Sequence, residues 1–305
     1  MRNYRQADTD LSKLHFLWKR LPVLVRAIIT GIIITVAGTL PWALLVRLNL
    51  NYLSYIPWSI IPASIYLWFF WKYVNGSGWP HSTSGMRKKT VRANKLSSEV
   101  WGAAIIAGIS GLVCLVLFSI VLNRLVKLPQ QNVSELSHVP FISLFFILLM
   151  SAAVAGITEE SGFRGYMQKP IEQRYGPVIA IIVTGIVFAF MHYSHPETTL
   201  ALMPFYIFVA TIYGVLAYLT NSILPGIVLH AAGNVFGSLD LLLRGRSEWQ
   251  TTSTTHTLVW DTGADTSFWL LCAGLIFVGV ITIWAYMNVA KEMKKQVAQD
   301  EKKLF

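Results

Sequence analysis

Eight stretches of 17 to 24 residues carry almost no charge, and segments of that kind are at home only in lipid. They are residues 27–46, 55–74, 100–122, 141–157, 177–193, 200–219, 223–243 and 267–290. A helix needs roughly 20 apolar residues to cross the hydrocarbon core. In lipid, backbone N–H and C=O groups must also be satisfied within the segment. The pattern therefore predicts an all-α, polytopic membrane bundle of about eight transmembrane helices. Charged residues make up 13% of the chain, about half the share a soluble domain needs to keep its surface wet.

An even number of spans leaves both termini on one side. Lysine and arginine assign that side: the N-terminal arm, the alternate loops and the C-terminal tail hold twenty, the opposite loops five. The positive-inside rule then places both termini in the cytoplasm. No linker, repeat or low-complexity tract divides the chain. It reads as a single membrane domain, 1–305: a cytoplasmic arm (1–26), N-terminal helices (27–140), core helices (141–243), a last helix (267–290) and a cytoplasmic tail (291–305). If the source is bacterial, the location is the plasma membrane. The net charge of +10 sits beside the apolar spans, as anionic lipid headgroups require, and does not point to nucleic acid. Cys114 and Cys272 fall inside spans and read as small apolar residues, not as a disulfide.

Ionisable groups at membrane depth are costly and are functional candidates by default. Here they are Glu159, Glu160, Arg164, His192, His230 and Asp240, joined by the amide of Asn234. Glu160 and Arg164 are i, i+4 neighbours and pair on a helix. Glu159 is rotated by about 100° from Glu160 and is left free, as a general base requires. His230 and Asn234 share a helix face by the same spacing. Asp240 reads as a cap near a span end, and His195 as a loop residue.

Chain geometry brings Glu159 toward His192. Arg174-Tyr175-Gly176-Pro177 stops one helix and starts another. Glu159 lies 15 residues before Arg174 and His192 lies 15 after Pro177, so an antiparallel hairpin carries both at equal height. The polar arm 161–175 also admits a different reading, an amphipathic helix on the cytoplasmic interface, which would separate them. Continuation of the fourth helix is favoured, because buried carboxylates need partners.

In order, Glu159-Glu160-Ser161-Gly162-Phe163-Arg164 forms EExxxR, Phe188 to His192 forms FxxxH, and His230 to Asn234 forms HxxxN. Over roughly residues 141–240 this resembles the CAAX protease and bacteriocin-processing (CPBP, or Abi) family of intramembrane endopeptidases. The resemblance implies that Glu159 activates water and His192 holds or polarises it. His230 and Asn234 would stabilise the oxyanion, about 3–4 kcal/mol per donor in soluble proteases. Glu160 with Arg164 would be an architectural ion pair. The implied substrate is a membrane-associated peptide or a prenylated protein. Metal-free chemistry is preferred, with zinc on Glu159, His192 and His230 as the alternative, since no HExxH pair is present. Two other classes stay open: a non-catalytic membrane scaffold or immunity protein, and a proton-coupled transporter, although the two halves show no internal repeat.

Overall fold

The computed structural model describes residues 16–127, 139–192, 196–244 and 258–302. His195 and the side chain of Asp240 lie outside what is described. The elements are α1 (Val23–Asn51), α2 (Ile60–Val74), α3 (Ser84–Val91), α4 (Ser98–Leu125), α5 (Phe141–Glu159), a π-helical segment (Glu160–Gln168), α6 (Lys169–Tyr175), α7 (Pro177–Met191), α8 (Pro196–Thr220), α9 (Leu224–Arg244), α10 (Val259–Thr262) and α11 (Thr266–Lys302). Among the described residues there is no strand. All eight apolar stretches form helices, and the chain is an integral membrane bundle.

Among the described residues five helices are long and apolar enough to span a bilayer by themselves, whereas α2, α7 and the apolar part of α9 are shorter. At 1.5 Å per residue, the 15 residues of α2 reach about 22 Å, less than the roughly 30 Å hydrocarbon core. The sequence pattern starts this span at residue 55, but Pro57 biases the residue before it away from helix. Asn49 satisfies the irregular backbone instead: its amide donates to the carbonyls of Leu53 and Ile56 and its oxygen accepts from Ser59 N–H.

Two polar clusters mark opposite ends of the bundle. At one end, Ile223 N–H donates to the Arg92 carbonyl, Asn94 to the Asn221 carbonyl, Ser222 to the Asn94 carbonyl, and Ser97 N–H to Gln296. At the other, Arg124 pairs with Asp265 at 3.0 Å and Trp260 donates to the Leu125 carbonyl. The loops so joined fall into the two alternating sets that the charge count distinguishes.

Large apolar side chains point outward, including Ile61, Phe69, Ile106, Phe277 and Trp284, all more than half exposed. A soluble surface would not tolerate such a belt. Inside, close helix approach relies on small residues, as is usual in membranes. Gly31 and Thr35 of α1 pack onto Gly162 of the π-helical segment, where an added Cβ would collide with Thr35. Trp42 is buried in the bundle and donates to Ser151 at 3.0 Å. Both cysteines are free.

Candidate active site

The helix that begins at Phe141 runs without a break to Tyr175. It is therefore not an interfacial helix: every residue from Glu160 to Gln168 is buried within the bundle. Sequence periodicity gives no sign of its π-helical turns, in which each hydrogen bond spans five residues; such segments are rare and concentrate at functional sites. Gly176, at φ 84°, then reverses the chain, and Pro177 opens α7 as its first residue. The hairpin register is visible at Phe163 and Phe188, whose rings meet edge to face at 5.1 Å. Glu159 and His192 each lie four residues further from that turn.

The two neighbouring carboxylates have different environments. Glu160 is fully buried, with Oε1 3.0 Å from Arg164 NH1 and 2.9 Å from His230 Nδ1. The arginine contact is an ion pair off the hydrogen-bonding line, since NH1 makes no hydrogen bond. Arg164 NH2 donates to the Ala210 carbonyl at 3.2 Å. One turn on, Gln168 donates to the Gly214 carbonyl at 2.9 Å, so two side chains spaced by four grip two carbonyls of α8 spaced by four. The Arg164 guanidinium also lies over the rings of Phe188 (4.9 Å) and Tyr213 (5.4 Å).

Glu159 is 15% exposed and has no such cage. Its Oε2 is buried without a hydrogen-bond partner and stands 3.7 Å from His230 Nε2. That is too long for a direct hydrogen bond. The His230 ring is thus held between two carboxylates, and Tyr213 stacks on it at 5.1 Å with planes 10° apart. Asn234 follows one turn later on α9, half-buried.

His192 ends α7. Its Nδ1 lies 2.9 Å from the Phe188 carbonyl, and its ring stacks on Tyr206 at 4.4 Å. Phe188 also touches it, at 4.4 Å between ring centres, and lies 6.4 Å from the His230 ring. His192 therefore joins the site through an aromatic cluster. Of the residues singled out from sequence, Glu159, Glu160, Arg164 and His230 come into one contact network. The EExxxR pairing is present, and Glu160 Oε1 also contacts His230 Nδ1. Tyr206, Tyr213 and Arg92, whose guanidinium donates to the Arg164 carbonyl at 2.9 Å, went unmarked in the sequence. Tyr206 and Tyr213, aromatics inside an apolar span, and Arg92, a cation beside one, look like ordinary packing and flank residues.

Residues 141–236 match the family model described as type II CAAX prenyl endopeptidase Rce1-like. Over these residues the chain is similar to that family. No curated protein and no solved structure matches the chain. The Rce1-like segment covers α5 through most of α9, which is every element that contributes to the Glu159–His230 network. Such a segment supports an intramembrane endopeptidase in general, with a bilayer around it and a membrane-embedded protein substrate. Among the described residues no three or more of His, Cys, Asp and Glu gather to hold a metal.

Proposed function

We propose that the chain is a glutamate-dependent intramembrane endopeptidase acting on a membrane-associated peptide or protein. One observation carries this reading: Glu159 is 15% exposed, with an unpartnered Oε2 beside His230 Nε2, while the adjacent Glu160 is fully buried and engages Arg164 and His230 through Oε1. A carboxylate with an unused oxygen at the edge of a buried polar network can take a proton from water.

Glu159 removes that proton, and the hydroxide adds to the scissile carbonyl. The oxyanion is met by donors on one face of α9: the Asn234 amide and, when it carries a proton, His230 Nε2. Glu160 holds His230 through Nδ1, which leaves Nε2 directed at the reacting space. His192, with Nδ1 on the Phe188 carbonyl, has Nε2 left to hold the water or the substrate backbone. Glu159 then returns its proton to the departing amine as the tetrahedral intermediate breaks.

The test is comparative peptide profiling of membranes carrying the wild type, Glu159→Gln and an empty vector. Peptides released only by the wild type, with defined new termini, are expected. Identical profiles for the wild type and Glu159→Gln, with a biological effect that persists, would sink the catalytic reading in favour of a scaffold.

A further inference from the structure

On the face that the charge bias assigns to the cytoplasm, a cavity of about 560 Å³ opens between α3 and α6. Met86, Lys89 and Thr90 line one wall, and Lys169, Pro170 and Gln173 the other. None of these residues belongs to the Glu159–His230 network.

The cavity is short of negative charge. Residues 72–97 contain six lysines and arginines and no aspartate or glutamate. The one carboxylate nearby, Glu172, is shared: it pairs with Arg92 at 2.9 Å and with Lys169 at 3.2 Å. Lys169 is further held by Asn221 at 3.0 Å, which fixes its ammonium at the cavity wall. Lys89 is exposed and, among the described residues, has no acidic partner. Arg87 offers no relief, since its guanidinium is taken by the carbonyls of Tyr73, Gly78 and Pro80. Those bonds tie α3 to the segment that carries Trp79, which is 80% exposed, and Met86 on α3 is 60% exposed. An exposed Met beside Lys89, which has no acidic partner, with the exposed Trp79 on the segment tied to α3, matches the chemistry of the membrane–water interface, where apolar groups meet acyl chains and cations meet phosphates.

We propose that this cavity binds the phosphate-bearing, negatively charged headgroup of a phospholipid of the cytoplasmic leaflet. Lys89 and Lys169 face the phosphate, Gln173 offers its amide to the rest of the headgroup, and Met86 and Trp79 lie along the acyl chains. The site stands whether or not the catalytic reading holds.

The experiment titrates dihexanoyl-phosphatidylglycerol into the purified full chain in neutral detergent and reads the shift in melting temperature. Dihexanoyl-phosphatidylcholine and inorganic phosphate are the comparators. A saturable shift with phosphatidylglycerol alone is expected, weakened about fivefold by Lys89→Gln and further by Lys89→Gln with Lys169→Gln. Lys89 has nothing to lose structurally, so its substitution tests the site without testing the fold. Lys95→Gln, an exposed charge off the cavity, should change nothing. The proposal is overturned if Lys89→Gln binds as the wild type does, or if Lys95→Gln weakens binding as much. Equal binding of inorganic phosphate also overturns it, since the ligand would then be a soluble anion.

Discussion

His230 Nδ1 lies 2.9 Å from Glu160 Oε1, a contact that joins helices 70 residues apart in the chain. It gives the second glutamate of the EExxxR motif a task beyond neutralising Arg164. The carboxylate fixes the rotation of the imidazole, and the Tyr213 ring stacked on its face fixes the tilt. Nε2 is then committed to the side where Glu159 stands.

The two glutamates should therefore fail differently. Glu160→Gln removes the anion between Arg164 and His230 and leaves a buried guanidinium without its counter-charge. Breaking a buried pair this way costs about 3–5 kcal/mol. Glu159→Gln touches a partly exposed side chain with an unpartnered oxygen, so the fold should hardly notice it. Thermal melting in detergent should show a large drop for Glu160→Gln and almost none for Glu159→Gln, while peptide release is lost in both. Equal melting temperatures for the two variants would remove the distinction.

Much of this arrangement is legible in the sequence because helical spacing and span length are local properties. Apolar runs give the helices, Gly176-Pro177 gives the hairpin, and the equal arms place Phe163 against Phe188. What the sequence withholds depends on rotation between helices. Nothing local says which of two adjacent carboxylates His230 will face, because that depends on how α9 packs against α5. The π-helical segment is hidden too, since apolar spacing and composition do not separate its turns from those of an α-helix. Arg92 reads as one more cytoplasmic cation until the fold buries it against Glu172 and the Arg164 carbonyl.

Arg92 supports a second prediction. It is 1% exposed, and its two terminal nitrogens brace the start of α6 and the carbonyl of Arg164. Arg92→Met keeps the volume but leaves both acceptors short of a donor, at about 1–3 kcal/mol for each buried group left unsatisfied. Because Arg164 holds Glu160, the Michaelis complex should be formed less accurately as well. A melting curve and a peptide-release assay should fall together, and Arg92→Lys, a single point charge, should restore only part of either. Full activity in Arg92→Met would show that the brace is not needed.

Acid stability offers a third, at the opposite end of the bundle. Asp265 accepts the Ser267 hydroxyl, the Phe268 N–H and the Arg124 guanidinium, which hold its carboxyl well below the usual carboxylate range. A depressed folded pKa gives stability that is complete above the unfolded value of about 3.9 and is lost as the pH falls toward the folded one. The wild type should therefore lose melting temperature below about pH 4 more steeply than Asp265→Asn, which cannot titrate. The side chain is largely exposed, so the difference should be small. Parallel curves would mean that Asp265 does not anchor α11 to α4.

The fourth prediction tests how tightly Glu160 is seated. The first turn of α9 contains Gly226, and a Cβ there would lie 2.8 Å from Glu160 Oε2. That oxygen has no hydrogen-bond partner, but it faces a helix start, whose unpaired N–H groups favour an anion. Gly226→Ala would replace this approach with a methyl group against a buried carboxylate oxygen. Neither side yields easily: α9 is pinned next to this turn by Ile223 N–H on the Arg92 carbonyl, and Glu160 is held by Arg164 and His230. In water-exposed helices Gly→Ala is stabilising by up to about 1 kcal/mol. Here the sign should reverse, with a lower melting temperature and a loss of peptide release that exceeds what the melting shift explains, because His230 loses its register with Glu159. A Gly226→Ala variant as stable and active as the wild type would mean that Glu160 can turn away freely, and the His230 contact would no longer account for the site's order.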